Sequence, residues 1–173
     1  MSEAGKETHS VVLLGFAGGD GWQAANEEAQ HLPGIRQVAV LVRTAEGELS
    51  APESWVKGAG VRTVGSSVAG ALIGALGGPI GALLGMAAGA ALGNAAETNR
   101  DTEEGAGLIM LGARVEDGTA LLVLDLHEHS PAPADELAAR HGATVERIPA
   151  EEFAAQVRAA EAKAEAEAEP EEE

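Results

Sequence analysis

His127 and His129, one residue apart around Glu128, follow the most strongly strand-forming run of the chain. Alternate residues of a strand share a face, so this pair can offer two imidazole nitrogens to a transition metal. Spacing identifies no third ligand, and an exposed histidine pair at a strand end is the simpler expectation. No metal site is assigned. His9, His31 and His141 fall at the ends of expected elements, where solvated side chains are the default. Ser10, Ser50, Ser54, Ser66, Ser67 and Ser130 lie in no nucleophile-elbow pattern, and sequence places no carboxylate against both a His and a Ser. Cysteine is absent, which excludes disulfides, thiolate zinc sites and cysteine nucleophiles. Gly15-Phe16-Ala17-Gly18-Gly19-Asp20 sets glycines between a strand and a helix, where a phosphate can be cradled. The stretch lacks the spacing of a phosphate-binding fingerprint and has no Lys, and Asp20 would repel an anion. A tight βα turn is expected there. No catalytic residue and no cofactor ligand follow from these patterns, so the chain is expected not to be an enzyme.

The densest pattern serves packing rather than bond chemistry. Between Arg62 and Glu97 lies a stretch of 34 residues without a charged side chain, in which Gly77, Gly81, Gly85, Gly89 and Gly93 recur at every fourth position. On a helix these share one face and leave a groove where another helix backbone can approach closely, a glycine zipper. Each glycine in a helix interior costs roughly 1 kcal/mol relative to alanine, so the groove must be filled. Ser66, Gly70, Gly74 and Gly78 repeat the period upstream. Gly70, Gly74, Gly77, Gly81, Gly85, Gly89 and Gly93 are the candidate helix-packing and oligomerisation residues.

The elements around this stretch have the marks of a small α+β domain. Val11 to Leu14, ending at Gly15-Phe16, suits a buried strand, and Asp20 to Leu32 carries Trp22, Ala25, Ala29 and Leu32 at helical spacing, with Asp20 as the cap and Pro33-Gly34 as the stop. Val38 to Val42 is β-rich, and Glu46-Gly47 turns into a short third strand. Beyond the uncharged stretch, a helix over 99–111 weakened by its glycines precedes the Asp117-Gly118 turn and a strand from Thr119 to Leu124. Pro131 and Pro133 open a helix that Gly142 closes. Thr144 to Ile148 alternates like an edge strand, and a last helix carries Phe153 and Val157. It degenerates into alternating Ala and Glu, a solvated acidic tail.

This order predicts a ferredoxin-like α/β sandwich with an inserted glycine-zipper helical hairpin and an acidic C-terminal helix or tail. Residues 1–9 form a disordered N-terminus, 10–62 and 97–160 the discontinuous ferredoxin-like domain, 63–96 the hairpin and 161–173 the tail. The insertion is expected between the third strand and the second helix. A single helix over 63–96 would be about 50 Å long with Pro79 in its middle, so a turn at Gly77-Gly78-Pro79 is simpler. Each arm would be about 20 Å long, short of a bilayer core of about 30 Å. Leu72, Ile73, Leu76, Ile80, Leu83, Leu84 and Leu92 would face outward. Insertion into a membrane, burial in a homo-oligomer and packing on the chain's own domain all remain open.

A net charge of −17 argues against nucleic acid and offers no attraction to anionic lipid headgroups. The polar N-terminus has no basic region followed by an apolar run, so a cytoplasmic protein, associated with the membrane through its hairpin, is expected. With two Trp, two Phe and no Tyr, sites built on aromatic stacking are disfavoured. The partners expected are other copies of the chain and a membrane. The alternative is a soluble homo-oligomeric ferredoxin-like sensor or regulatory module, with the hairpin as its oligomer core.

From about Val11 to Ile148 the chain resembles a bacterial membrane-associated family catalogued as domain of unknown function 1269, related to the general stress protein 17M-like domain. The resemblance rests on Val11-Val12-Leu13-Leu14-Gly15-Phe16, on Val40-Leu41-Val42-Arg43 followed by Glu46-Gly47, and on the glycine-zipper stretch. It continues through Gly118-Thr119-Ala120-Leu121-Leu122-Val123-Leu124 and His141-Gly142-Ala143-Thr144-Val145. It implies a ferredoxin-like domain with a membrane-associated hairpin and a link to stress responses, without an established reaction. Ala17-Gly18-Gly19 replaces the family's acidic motif after the first strand, and the long acidic tail is a further departure.

Overall fold

In the computed structural model, described over residues 6–18, 21–50, 52–57, 62–64 and 111–168, one antiparallel sheet of seven strands is flanked by three helices. The elements are β1 (Thr8–Phe16), α1 (Trp22–Ala29), β2 (Ile35–Arg43), β3 (Leu49–Ser50), β4 (Glu53–Val56) and β5 (Arg62–Val64). After residues 65–110 come β6 (Ala120–Glu128), α2 (Ala132–Arg140), β7 (Thr144–Pro149) and α3 (Ala150–Ala168). The strand order is β5-β4-β2-β6-β1-β7, and β3 pairs with the end of β2. β3 meets Val42 and Arg43, while β4 meets Gln37 to Ala39, so the two share one side of β2.

The central strands are apolar at consecutive positions because both of their faces are covered. Val12 and Leu14 of β1, Val38 and Val40 of β2, and Leu122 and Leu124 of β6 meet Trp22, Ala25 and Ala29 of α1 and Ala134, Leu137 and Ala138 of α2. Residues one step out of phase, Val11, Leu13, Ala39, Leu41, Leu121 and Val123, line the opposite face. There Phe153 of α3, together with Leu111 and Val115, closes over them. Each large side chain removed from water stabilises the fold by about 1.5–3 kcal/mol before entropy is counted. A register shift between Ile35 and Gln37 brings Ile35 onto the helix-covered face, although Gln37, Ala39 and Leu41 point the other way.

Several boundaries differ from the sequence reading. β6, which follows the uncharged stretch, is the central strand between β1 and β2, and the stretch itself is entered from β5, because β4 and β5 intervene after the expected third strand. The β4–β5 pairing was not foreseen. Its residues have no long apolar alternation, and it forms because β4 finds the free side of β2. Thr63 and Val64, assigned to the hairpin, lie in β5, and Thr8 and His9, assigned to a disordered lead-in, pair with Glu128 and His127. α1 begins at Trp22 with Gly21 as its cap residue and no side-chain cap bond, while Asp20 is outside the described residues. So is residue range 99–110 of the expected helix; Leu111 and Gly112 are helical. The edge position of β7, the Asp117-Gly118 turn and the closure of α2 by Gly142, in the left-handed region at φ +65°, agree with expectation.

Candidate functional site

Gly70, Gly74, Gly77, Gly81, Gly85, Gly89 and Gly93 lie outside the described residues. The points where the chain enters and leaves their segment are described. It departs from β5, held by the pairs Glu53↔Val64, Ser54↔Thr63 and Trp55↔Arg62. It returns at Leu111, which is buried with Val115 under the sheet face opposite α1 and α2. One guanidinium fixes that return. Arg43, at the end of β2, donates from Nε to the Val115 carbonyl at 2.7 Å, from Nη1 to the Gly47 carbonyl at 2.8 Å and from Nη2 to the Gly112 carbonyl at 2.9 Å. Three fixed donors of one planar group thus join the β2 end, the β2–β3 turn and the returning chain. Gly112 sits against Leu49, where an added Cβ would fall 2.8 Å from Cδ2.

At the first βα turn the structure gives Gly15 a packing role. A Cβ there would lie 2.6 Å from Thr144 Oγ1, so a side chain at this position would force the Thr144 hydroxyl to turn away from the β1–β7 pairing. A shallow depression of about 300 Å³ beside it is lined by Gly15, Ala17, Arg114, Glu116 and Thr144 among others. Arg114 bonds Glu146 there.

The opposite end of β6 carries two polar clusters, one on each face. On the helix side, buried Glu128 accepts from Arg147 Nε at 2.8 Å and Nη2 at 3.0 Å, and Nη2 also reaches Asp135 Oδ1 at 3.0 Å. The Glu128 carboxylate, more than Asp135, pushes the Arg147 guanidinium's pKa up. This network ties β6, β7 and α2 together and is structural in character. On the other face, His9 Nε2 bonds the buried carboxylate of Asp125 at 2.6 Å. The His9 ring lies parallel to His127, centroids 4.4 Å apart and planes within 6°. Glu7 Oε1 stands 3.9 Å from His127 Nδ1 and 3.9 Å from His129 Nε2.

The sequence located the His127/His129 pair but not Glu7, His9 or Asp125, because register decides which residues of β1 lie opposite β6. The available signal was the period-two pattern Glu7, His9, Val11, Leu13, which puts His9 on the same face as two core residues. As the side chains stand, no group of three or more His, Asp or Glu among the described residues is drawn together closely enough to hold a metal ion. No helix among the described residues is long and apolar enough to cross a membrane.

Comparisons with known protein families, with curated proteins and with solved structures find no match. The reading of function therefore rests on the residues and their geometry.

Proposed function

We propose that this is a non-enzymatic protein that associates with membranes or self-assembles, using a ferredoxin-like domain to carry a glycine-zipper hairpin. The observation that supports this reading is the position of β6. A strand that follows the uncharged stretch lies between two strands that precede it, so both flanks belong to one sheet. A sheet cannot be divided across a bilayer, because its unpaired backbone groups would each cost several kcal/mol in lipid. The uncharged stretch must then leave and return on the same side, as a hairpin does. The order β7-β1-β6-β2, with α1 after β1 and α2 after β6, supports the ferredoxin-like reading, which expects two interleaved βαβ units. Gly70, Gly74, Gly77, Gly81, Gly85, Gly89 and Gly93 would carry the function by letting helix backbones meet. The resemblance to the domain of unknown function 1269 family points the same way and adds a link to stress responses, and the polar N-terminal residues are the ground for placing the domain in the cytoplasm.

The estimated arm length favours keeping a second reading. Arms of about 20 Å are short for a bilayer core of about 30 Å, which suits a soluble homo-oligomeric regulatory module with the hairpins packed at its centre. Cell fractionation and sizing of the full chain test both. Recovery with membranes supports the first reading, and a large detergent-free assembly supports self-assembly. Gly81→Leu or Gly85→Leu should reduce either behaviour much more than Leu83→Ala, because a side chain in the groove separates the backbones. A monodisperse monomer in detergent-free buffer overturns both readings.

A further inference from the structure

We propose that Glu7, His9, His127 and His129 form a binding site for a borderline divalent transition metal such as Zn²⁺, on the sheet face opposite α1 and α2. The sequence supplies two ligands at the spacing of alternate strand residues. The fold adds what spacing could not. Register places His9 directly opposite His127 and Thr8 opposite Glu128, where the pairing ends, and just beyond it Glu7 Oε1 lies 3.9 Å from His129 Nε2. Four donors therefore gather where β1 begins and β6 ends. Directly opposed residues of an antiparallel pair have Cβ atoms about 4.5–5.5 Å apart, within reach of a shared ion.

The donor set has the right chemistry. Three imidazoles and a carboxylate suit Zn²⁺, whose nitrogen and oxygen ligands stand about 2.0–2.2 Å from the metal. His9 also has the support such ligands require. Buried Asp125 takes its Nε2 at 2.6 Å, which leaves Nδ1 to present a lone pair, and a carboxylate behind an imidazole is the usual orienting partner of a metal-bound histidine. Glu7 Oε1 already stands between His127 Nδ1 and His129 Nε2, at 3.9 Å from each. Ligands of one tetrahedral ion are about 3.3 Å apart, so these two contacts must each close by roughly half an ångström, and the His9 and His127 rings must leave their parallel stack before their in-plane lone pairs can meet at one ion. The side chains can make it. Those of Glu7, His127 and His129 are 51%, 34% and 73% exposed, which leaves space for the rotation, and His127 exchanges its stack on His9 for the shared ion. Binding would fasten the start of β1 to the end of β6.

The test is titration of the purified full chain with Zn²⁺, and with Co²⁺ as a spectroscopic probe, in the presence of excess Mg²⁺ to occupy the acidic tail. One ion per chain is expected, with the visible absorption of Co²⁺ bound through nitrogen. Glu7→Gln, His127→Ala and His129→Ala should each weaken binding at least about tenfold, and Asp125→Asn about 10–100-fold through the orientation of His9. His31→Ala, whose Nδ1 bonds the Glu27 carbonyl of α1 instead, should change nothing. Zn²⁺ should also slow amide exchange at Thr8 to Ser10, a readout that needs no variant. Absence of binding, displacement of the ion by Mg²⁺, or equal affinity in a His127→Ala/His129→Ala double variant would each overturn the proposal.

Discussion

The two faces of the central sheet are built from the same strands and are covered differently. On one, α1 and α2 follow directly after β1 and β6 and lie over Val12, Leu14, Leu122 and Leu124. On the other, the cover is assembled from more distant parts of the chain, namely Phe153 of α3 and the Leu111 to Val115 segment that returns from the uncharged stretch. The helix-covered face is also joined across its surface, where Glu28 of α1 meets Arg140 at 2.8 Å and His141 at 3.0 Å. The difference teaches where a fold of this kind leaves room for function. The face made by successive βα units is completed locally, and the opposite face carries the insertion's return and the histidine cluster.

The strongest way to break this comparison is to remove one anchor from each cover. Phe153 and Leu137 are both fully buried. Phe153→Ala should cost about 3–5 kcal/mol and Leu137→Ala about 2–5 kcal/mol, measured by urea unfolding. A loss below about 1 kcal/mol for Phe153 would reduce α3 to a loose lid and leave only one true core.

Gly34 sharpens the comparison at the edge of the histidine face. Its φ is +75°, an added Cβ would fall 1.8 Å from the His127 carbonyl oxygen, and its own carbonyl accepts the His127 N–H at 2.9 Å. Gly118 has the same φ but nothing within 4 Å of its missing Cβ. Gly118→Ala should therefore cost about 1 kcal/mol from backbone strain alone. Gly34→Ala should cost about 1–3 kcal/mol and shift the amide resonance of His127, because β6 must move. Equal effects at the two glycines in both measurements would show that the close approach to β6 has no consequence.

The smallest effect belongs to the surface link between α1 and α2. Arg140 first, then His141, holds the Glu28 carboxyl below its ordinary value of 4.5. A lowered folded-state pKa contributes stability above the ordinary value, and that contribution disappears as pH falls through the lower folded one. An NMR titration should place Glu28 below 4.5 in the native chain and return it toward 4.5 in Arg140→Ala. An unchanged titration in the variant would mean that Arg140 does not govern the carboxylate and that the two helices are not joined there.

Much of the architecture was legible because local chemistry specified it. Val11 to Leu14, the helical spacing of Trp22, Ala25 and Ala29, the Asp117-Gly118 turn, and the proline and glycine bounding α2 each agree with the observed element. β4 and β5 were not legible, since short strands without apolar alternation acquire order only from the edge they join. Nor was the histidine cluster beyond its own strand. His127 and His129 share a face by alternation, whereas the arrival of Glu7 and His9 opposite them depends on the pairing of segments more than a hundred residues apart.

By itself the sequence determined the chemistry available to this protein: no cysteine, a strongly acidic surface, a long uncharged stretch with glycine at every fourth position, and strands apolar enough to be buried on both faces. These are properties of composition and period, which neighbouring residues fix among themselves. Only the tertiary structure decided that β6 lies between β1 and β2, that Arg43 holds the returning chain, and that an N-terminal glutamate stands between two distant histidines. Each of those depends on long-range strand register. Register is selected by the packing of whole faces, and no local run of residues encodes it.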